Sequence, residues 1–181
     1  RARLDDELEN LREVLMRLHG VERREDGLEL LGNTWRFFQS RGHLLELEMW
    51  LDGFVRLPEE PDRRDGSIMG LMARAAILYW RQDPLGAAAI YREAFDIARA
   101  VDARPRRAEA LYGLGTSSVV ADRVEEGSAA LHESGELYEE VGDSVGLADV
   151  MVARAFLDMR DEQGFVQGEG GGSPMTSFEA A

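Results

Sequence analysis

A period of 40 residues runs through this chain and restricts what it can fold into more than any other feature. Leu31, Leu71, Leu111 and Met151 are equivalent under that shift, as are Trp35, Ala75, Gly115 and Ala155 four residues further on. A second set follows the same shift: Leu47, Ala87 and Gly127, then Leu51, Tyr91 and Leu131, then Phe54, Ala94 and Ser134. Columns four residues apart share one face of a helix, so each unit reads as two helices. Small residues recur where two helices of a pair would cross closely, and larger apolar ones recur about one turn away. One pair cannot bury its apolar face alone. Stacked pairs can, and such an array curves into a superhelix with a concave side.

Helix punctuation agrees with an all-α protein of about eight helices. Leu4, Leu8, Leu11, Leu15 and Leu18 form one apolar face that stops at Gly20. Further helices are expected over Arg24 to Ser40 and His43 to Arg56, the latter ending before Pro58. A dense apolar run from Ile68 to Trp80, broken mainly by Arg74, predicts a fourth helix buried on most sides. Asp83-Pro84 is a strong start signal for the fifth, because Asp caps free N–H groups and Pro fits the first turn. Pro105 opens a sixth, Val124 to Val141 makes a seventh, and an eighth follows Gly142-Asp143-Ser144 to about Arg160. The organisation expected is a linking or capping helix at 1–22 and a repeat array at 23–162. Its units are 23–60, 63–102, 105–142 and a partial 143–162, and a glycine-rich flexible tail occupies 163–181. The last unit lacks a recognisable second helix. Met175 to Ala181 is either a disordered end or a segment that docks in its own or a neighbour's groove.

What is missing excludes much chemistry. All 21 basic residues are arginine, so there is no Walker A lysine, no Schiff base and no Ser-Lys dyad. The chain has no cysteine, which removes disulfides, thiolate nucleophiles and Cys-based zinc sites. A formal net charge of −14 opposes direct nucleic-acid binding, which needs clustered positive charge. The densest basic cluster, Arg99, Arg104, Arg106 and Arg107, straddles the turn at Pro105 and suits helix C-terminal carbonyls better than an anion. No apolar run approaches the length of a membrane span and the first residues are charged, so the expected location is the cytoplasm.

The candidate chemistry is correspondingly thin. His19, His43 and His132 lie far apart, and none has a second histidine at metal-ligand spacing. Gly113 and Gly115 fall within a helix rather than between strand and helix, so they are no dinucleotide fingerprint. Ser117, Ser118 and Ser128 lack a nucleophile-elbow context. Neither catalytic residue nor metal nor cofactor is expected.

Two motifs, Leu111-Tyr112-Gly113-Leu114-Gly115 and Ala87-Ala88-Ala89-Ile90-Tyr91-Arg92-Glu93-Ala94, resemble the first and second helices of tetratricopeptide repeats. The period of 40 exceeds the 34 usual in that family and is similar to the longer variant in large ATP-binding LuxR-type transcriptional regulators of the maltose-operon activator type, and in related signalling ATPases. Glu7-Leu8-Glu9-Asn10-Leu11-Arg12-Glu13-Val14-Leu15 resembles the helix that joins ATPase module to repeats there. Trp35-Arg36-Phe37-Phe38, Arg41-Gly42-His43-Leu44 and Trp50-Leu51 resemble the first pair of the array. Departures include Phe54, which stands where a small residue is expected, and Arg74 and Arg154, which share a column with Thr34 and Leu114.

The resemblance implies a right-handed α-superhelix that senses an effector or binds a protein or peptide on its concave face, within a parent chain that carries ATPase and DNA-binding domains. The residues it points to are Asn33, Arg36 and Gln39; Arg74, Tyr79 and Trp80; Tyr112 and Thr116; and Phe156 and Met159. Arginine forks suit carboxylates and aromatic rings supply rigid contact area, so an acidic peptide or small polar ligand is expected. Core packing between repeats is the other account of Tyr79 and Trp80. A structural self-association module, a homo-oligomer joined through exposed repeat ends, is the alternative function.

Overall fold

The computed structural model describes residues 2–60 and 64–162. These residues form eight helices and no strand: α1 (Ala2–Gly20), α2 (Arg24–Ser40), α3 (Leu44–Val55), α4 (Asp65–Trp80), α5 (Pro84–Ala100), α6 (Arg104–Val120), α7 (Val124–Val141) and α8 (Ser144–Glu162). The glycine-rich tail at 163–181 lies outside the described residues.

Six of the seven turns between helices, all but the one from α3 to α4, share one closure on a 20-residue spacing, half the period seen in side chains. The N–H groups of Arg23, His43, Asp83, Ala103, Arg123 and Asp143 donate to the carbonyls of Leu18, Phe38, Leu78, Ala98, Ser118 and Tyr138 at 2.8–3.0 Å. One residue earlier, Glu22, Gly42, Gln82, Asp102, Asp122 and Gly142 hold positive φ of 53–75°. This is the Schellman closure, in which a left-handed residue turns the chain back so that the last carbonyls find donors. Asp83 also caps α5, its carboxylate accepting from Gly86 N–H at 2.9 Å. Pro105 sits in the first turn of α6, where its missing N–H costs nothing.

Each helix packs on the next in sequence, and the even-numbered helices also touch one another, α2 on α4, α4 on α6 and α6 on α8. Among the described residues α3 does not reach α5, nor α5 α7. The even helices thus make a continuous layer, while on the other side only α1 and α3 of the odd helices touch and α3, α5 and α7 stand apart. Apolar side chains bury in two clusters, one around α1 to α4 and one around α4 to α8. α4 belongs to both: Ala73 and Ile77 face the first and Ile68, Met69 and Met72 the second, so its apolar run is buried on most sides.

Crossing distance follows side-chain size. Gly115 and Gly127 face each other across α6 and α7, where an added Cβ on either would press on the other's carbonyl oxygen. The same columns hold Ala75 with Ala87 in the second pair and Trp35 with Leu47 in the first. The interface between α6 and α7 is the most extensive of the three, and that between α2 and α3 the least. Phe54 is accommodated by Gly27, whose absent side chain leaves the space that the Phe54 ring fills. At the equivalent positions of the second pair stand Ser67 and Ala94, so bulk has been traded across the interface.

A buried polar knot joins α2 to α4. Arg24 donates to the Glu25 carboxylate at 2.6 Å and to Ser67 Oγ at 2.7 Å, while Glu25 accepts the Ser67 backbone N–H at 2.8 Å. Glu25 is 1% exposed and occupies the amino end of α4, where free N–H groups favour a carboxylate. The close approach is enabled by Gly66, which lies directly against the Glu25 carbonyl.

Candidate functional site

The even-helix layer carries a cleft of about 310 Å³ between α2, α4 and α6. Trp35 and Arg36 come from α2, Met72, Ala76, Tyr79 and Trp80 from α4, and Glu109, Tyr112, Gly113, Thr116 and Ser117 from α6. The outer helix α5 adds Tyr91. Its ring passes over Gly113, at which any side chain would collide with it, so this glycine lets an outer-layer aromatic reach the inner face.

Five of the ten residues singled out in the sequence therefore converge: Arg36, Tyr79, Trp80, Tyr112 and Thr116. The other five do not join them. Arg74 points the opposite way from α4, into a second groove that also includes Leu51, Val55, Ile90 and Ile97, and it pairs there with Asp52 of α3. The physical reason is register: Arg74 is five residues before Tyr79, about 140° around the helix. Asn33 is exposed on α2 outside the cleft wall, and Gln39 lies in the last turn of α2, its carbonyl accepting from Gly42 at 3.1 Å. Phe156 and Met159 are 66% and 47% exposed on α8, away from the cleft.

Trp35, Met72, Tyr91, Glu109 and Ser117 were not among the expected site residues. Trp35 and Tyr91 belong to packing columns of the repeat, which hides their second role. The legible signal for Tyr91 is Gly113, a helix-interior glycine that costs stability unless something must pass close to it.

The electrostatics of the cleft are lopsided. The guanidinium of Arg36 stacks over the Trp35 ring at 5.2 Å and has no carboxylate partner among the described residues. Glu109, the acid of the cleft wall, is tied to Arg106 at 3.1 Å, and Arg106 in turn grips Asp65 on α4 at 2.9 Å. Burial pushes the phenols of Tyr79, Tyr91 and Tyr112 above the ordinary tyrosine range; the Glu109 carboxylate adds to the rise at Tyr91 and that of Asp149 at Tyr112, and Arg36 opposes both more weakly. At neutral pH these phenols are neutral hydrogen-bond donors. Thr116 spends its hydroxyl proton on the carbonyls of Tyr112 and Gly113 at 3.0 and 3.1 Å. Ser117 is fully buried and its Oγ has no hydrogen-bond partner.

Among the described residues, no group of three or more His, Asp or Glu side chains is placed to hold a metal ion. No helix of the described residues is long and apolar enough to cross a membrane. Comparison with protein-family models and with curated proteins finds no match to this chain.

Proposed function

We propose that this chain is a tetratricopeptide-like binding module that recognises an effector or a protein partner in the cleft between α2, α4 and α6, acting by recognition rather than catalysis. The observation that carries this is the convergence of Arg36, Tyr79, Trp80, Tyr112 and Thr116 from three separate helices into one 310 Å³ concavity. Pockets of that size lined by aromatic rings with a few polar groups suit small ligands or single side chains of a peptide. A layer of touching even helices, with α3, α5 and α7 apart from one another, supports an array that is concave on the even side. The similarity of Glu7 to Leu15 and of the array to large LuxR-type regulators places the module, in this proposal, in a cytoplasmic transcriptional regulator or signalling ATPase. There, ligand binding would shift the population of active states. Native mass spectrometry of the purified protein tests it. A bound species that is lost in both Arg36→Ala and Tyr112→Ala is the expected result; a species retained in both would move the site elsewhere.

A second function, self-association through the end of the array, is favoured by one specific contrast. On α6, Ala108, Leu111 and Gly115 are buried, and α7 packs over them. Their equivalents on α8, Ala148, Met151 and Ala155, are exposed, Met151 by 64%. Sedimentation of Met151→Glu against the parent protein separates the two, because only the self-association module loses a dimer.

A further inference from the structure

We infer that the cleft selects a compact carboxylate with a flat apolar body, which rests on the proposal that the cleft is the recognition site and specifies its ligand. Charge decides the sign. Arg36 is the one cation of the cleft wall, and among the described residues no acid neutralises it. Glu109, the one acid of the wall, gives an oxygen to Arg106, so a cationic ligand would have to share that carboxylate while facing Arg36. An ammonium held by the aromatic rings alone is therefore disfavoured, although such rings are the usual receptors for one.

Hydrogen-bond polarity points the same way. The guanidinium offers N–H donors in a fixed fork that matches two carboxylate oxygens. Tyr79, Tyr91 and Tyr112 stay protonated and can donate, and the Oγ of Ser117 is a fully buried hydroxyl with no partner in the wall of the same cleft. The hydroxyls of the cleft can accept as well as donate, so it is the donor-only guanidinium of Arg36 that calls for an acceptor such as a carboxylate. The remaining wall is apolar or flat: Trp35, Met72, Ala76 and Trp80. A volume of about 310 Å³ lies at the small end of the range for ligand pockets. The carboxylate can belong to a free small molecule or to the end of a polypeptide finishing in an apolar residue; the recognition chemistry is common to both.

The test uses the whole chain, labelled with nitrogen-15, and follows the indole N–H signals. Trp35 and Trp80 line the cleft, whereas Trp50 is absent from its wall and serves as an internal control. The probes are 3-phenylpropionate, its isosteric amide, and N-acetyl-Gly-Gly-Phe with a free or amidated end. The acid is expected to shift Trp35 and Trp80 selectively and to bind at least tenfold more tightly than its amide. Arg36→Gln should abolish that ratio by weakening the acid far more than the amide. Tighter binding of the free-ended peptide than of 3-phenylpropionate, lost on amidation, supports the proposal with a polypeptide end as the source; the reverse order supports it with a free acid. Equal binding of acid and amide, or a preference that survives in Arg36→Gln, overturns the carboxylate while leaving the cleft a binding site. No selective shift of Trp35 and Trp80 with any probe overturns the cleft itself, and the carboxylate with it.

Discussion

Gly27 and Phe54 show how a repeat can break its own side-chain rule without breaking its backbone. Phe54 occupies a column of small residues, and the departure is absorbed by a glycine on the facing helix rather than by a shift of either helix. Gly27→Ala should therefore cost about 1–3 kcal/mol through overpacking against the ring. Phe54→Ala alone should cost about 3–5 kcal/mol through the cavity it leaves. Combined, the two should cost less than their sum, since the added methyl enters the space that the ring vacates. Urea unfolding of the four proteins checks this, and strict additivity would mean that the two residues do not share a space. Gly113 and Tyr91 obey the same logic with a different result, because there the space admits an aromatic into the cleft rather than into the core.

At the scale of elements, α1 is held to the array by few contacts, and one is a charge clamp. Arg12 grips Glu46 of α3 through two hydrogen bonds of 2.6 Å, which holds the Glu46 carboxyl below its ordinary value of 4.5. A carboxylate whose pKa is lowered by folding contributes stability above its unfolded pKa and loses it as pH falls through the folded one. Docking of α1 should therefore be constant at neutral pH and weaken as pH falls below that ordinary value of 4.5. The loss should be about 1 kcal/mol, and Arg12→Gln should remove that part of the pH profile. Thermal unfolding of both proteins between pH 3 and pH 7 measures it.

Helix existence and order were legible in the sequence because apolar spacing and caps such as Asp83-Pro84 and Gly142 act locally. The 20-residue turn was not, because four of the six left-handed positions hold Glu22, Gln82, Asp102 and Asp122 instead of glycine. The candidate site was half legible. Helical spacing identifies a face, and Arg36, Tyr79, Trp80, Tyr112 and Thr116 share the inner one. Helical spacing already separates Arg74 from Tyr79 by about 140°, but which of the two meets the cleft depends on how α4 sits between two layers, and periodicity alone does not determine that.

The whole molecule is a stack in which contacts run mainly between neighbours, with α4 and α6 each packed on four other helices and α8 on two. Such arrays open from their ends. Hydrogen exchange should be slowest in α4 and α6 and fastest in α8 among the helices after α1. Equal protection of α4 and α8 would reveal a single all-or-none unit instead.

The 20-residue spacing of the turns has a consequence of parity. Six of the seven turns share one hydrogen-bonding pattern, and these six both enter and leave inner helices, so the pattern does not distinguish an inner helix from an outer one; the 40-residue side-chain pattern does. Splicing in or out a single helix with its turn would preserve every closure yet turn each following inner face outward, scattering the residues that meet in the cleft. Exchange of an even number of helices leaves the faces in place. Length variation in this architecture is therefore counted in twos, and each added pair offers one more inner surface on which a different ligand chemistry can be written.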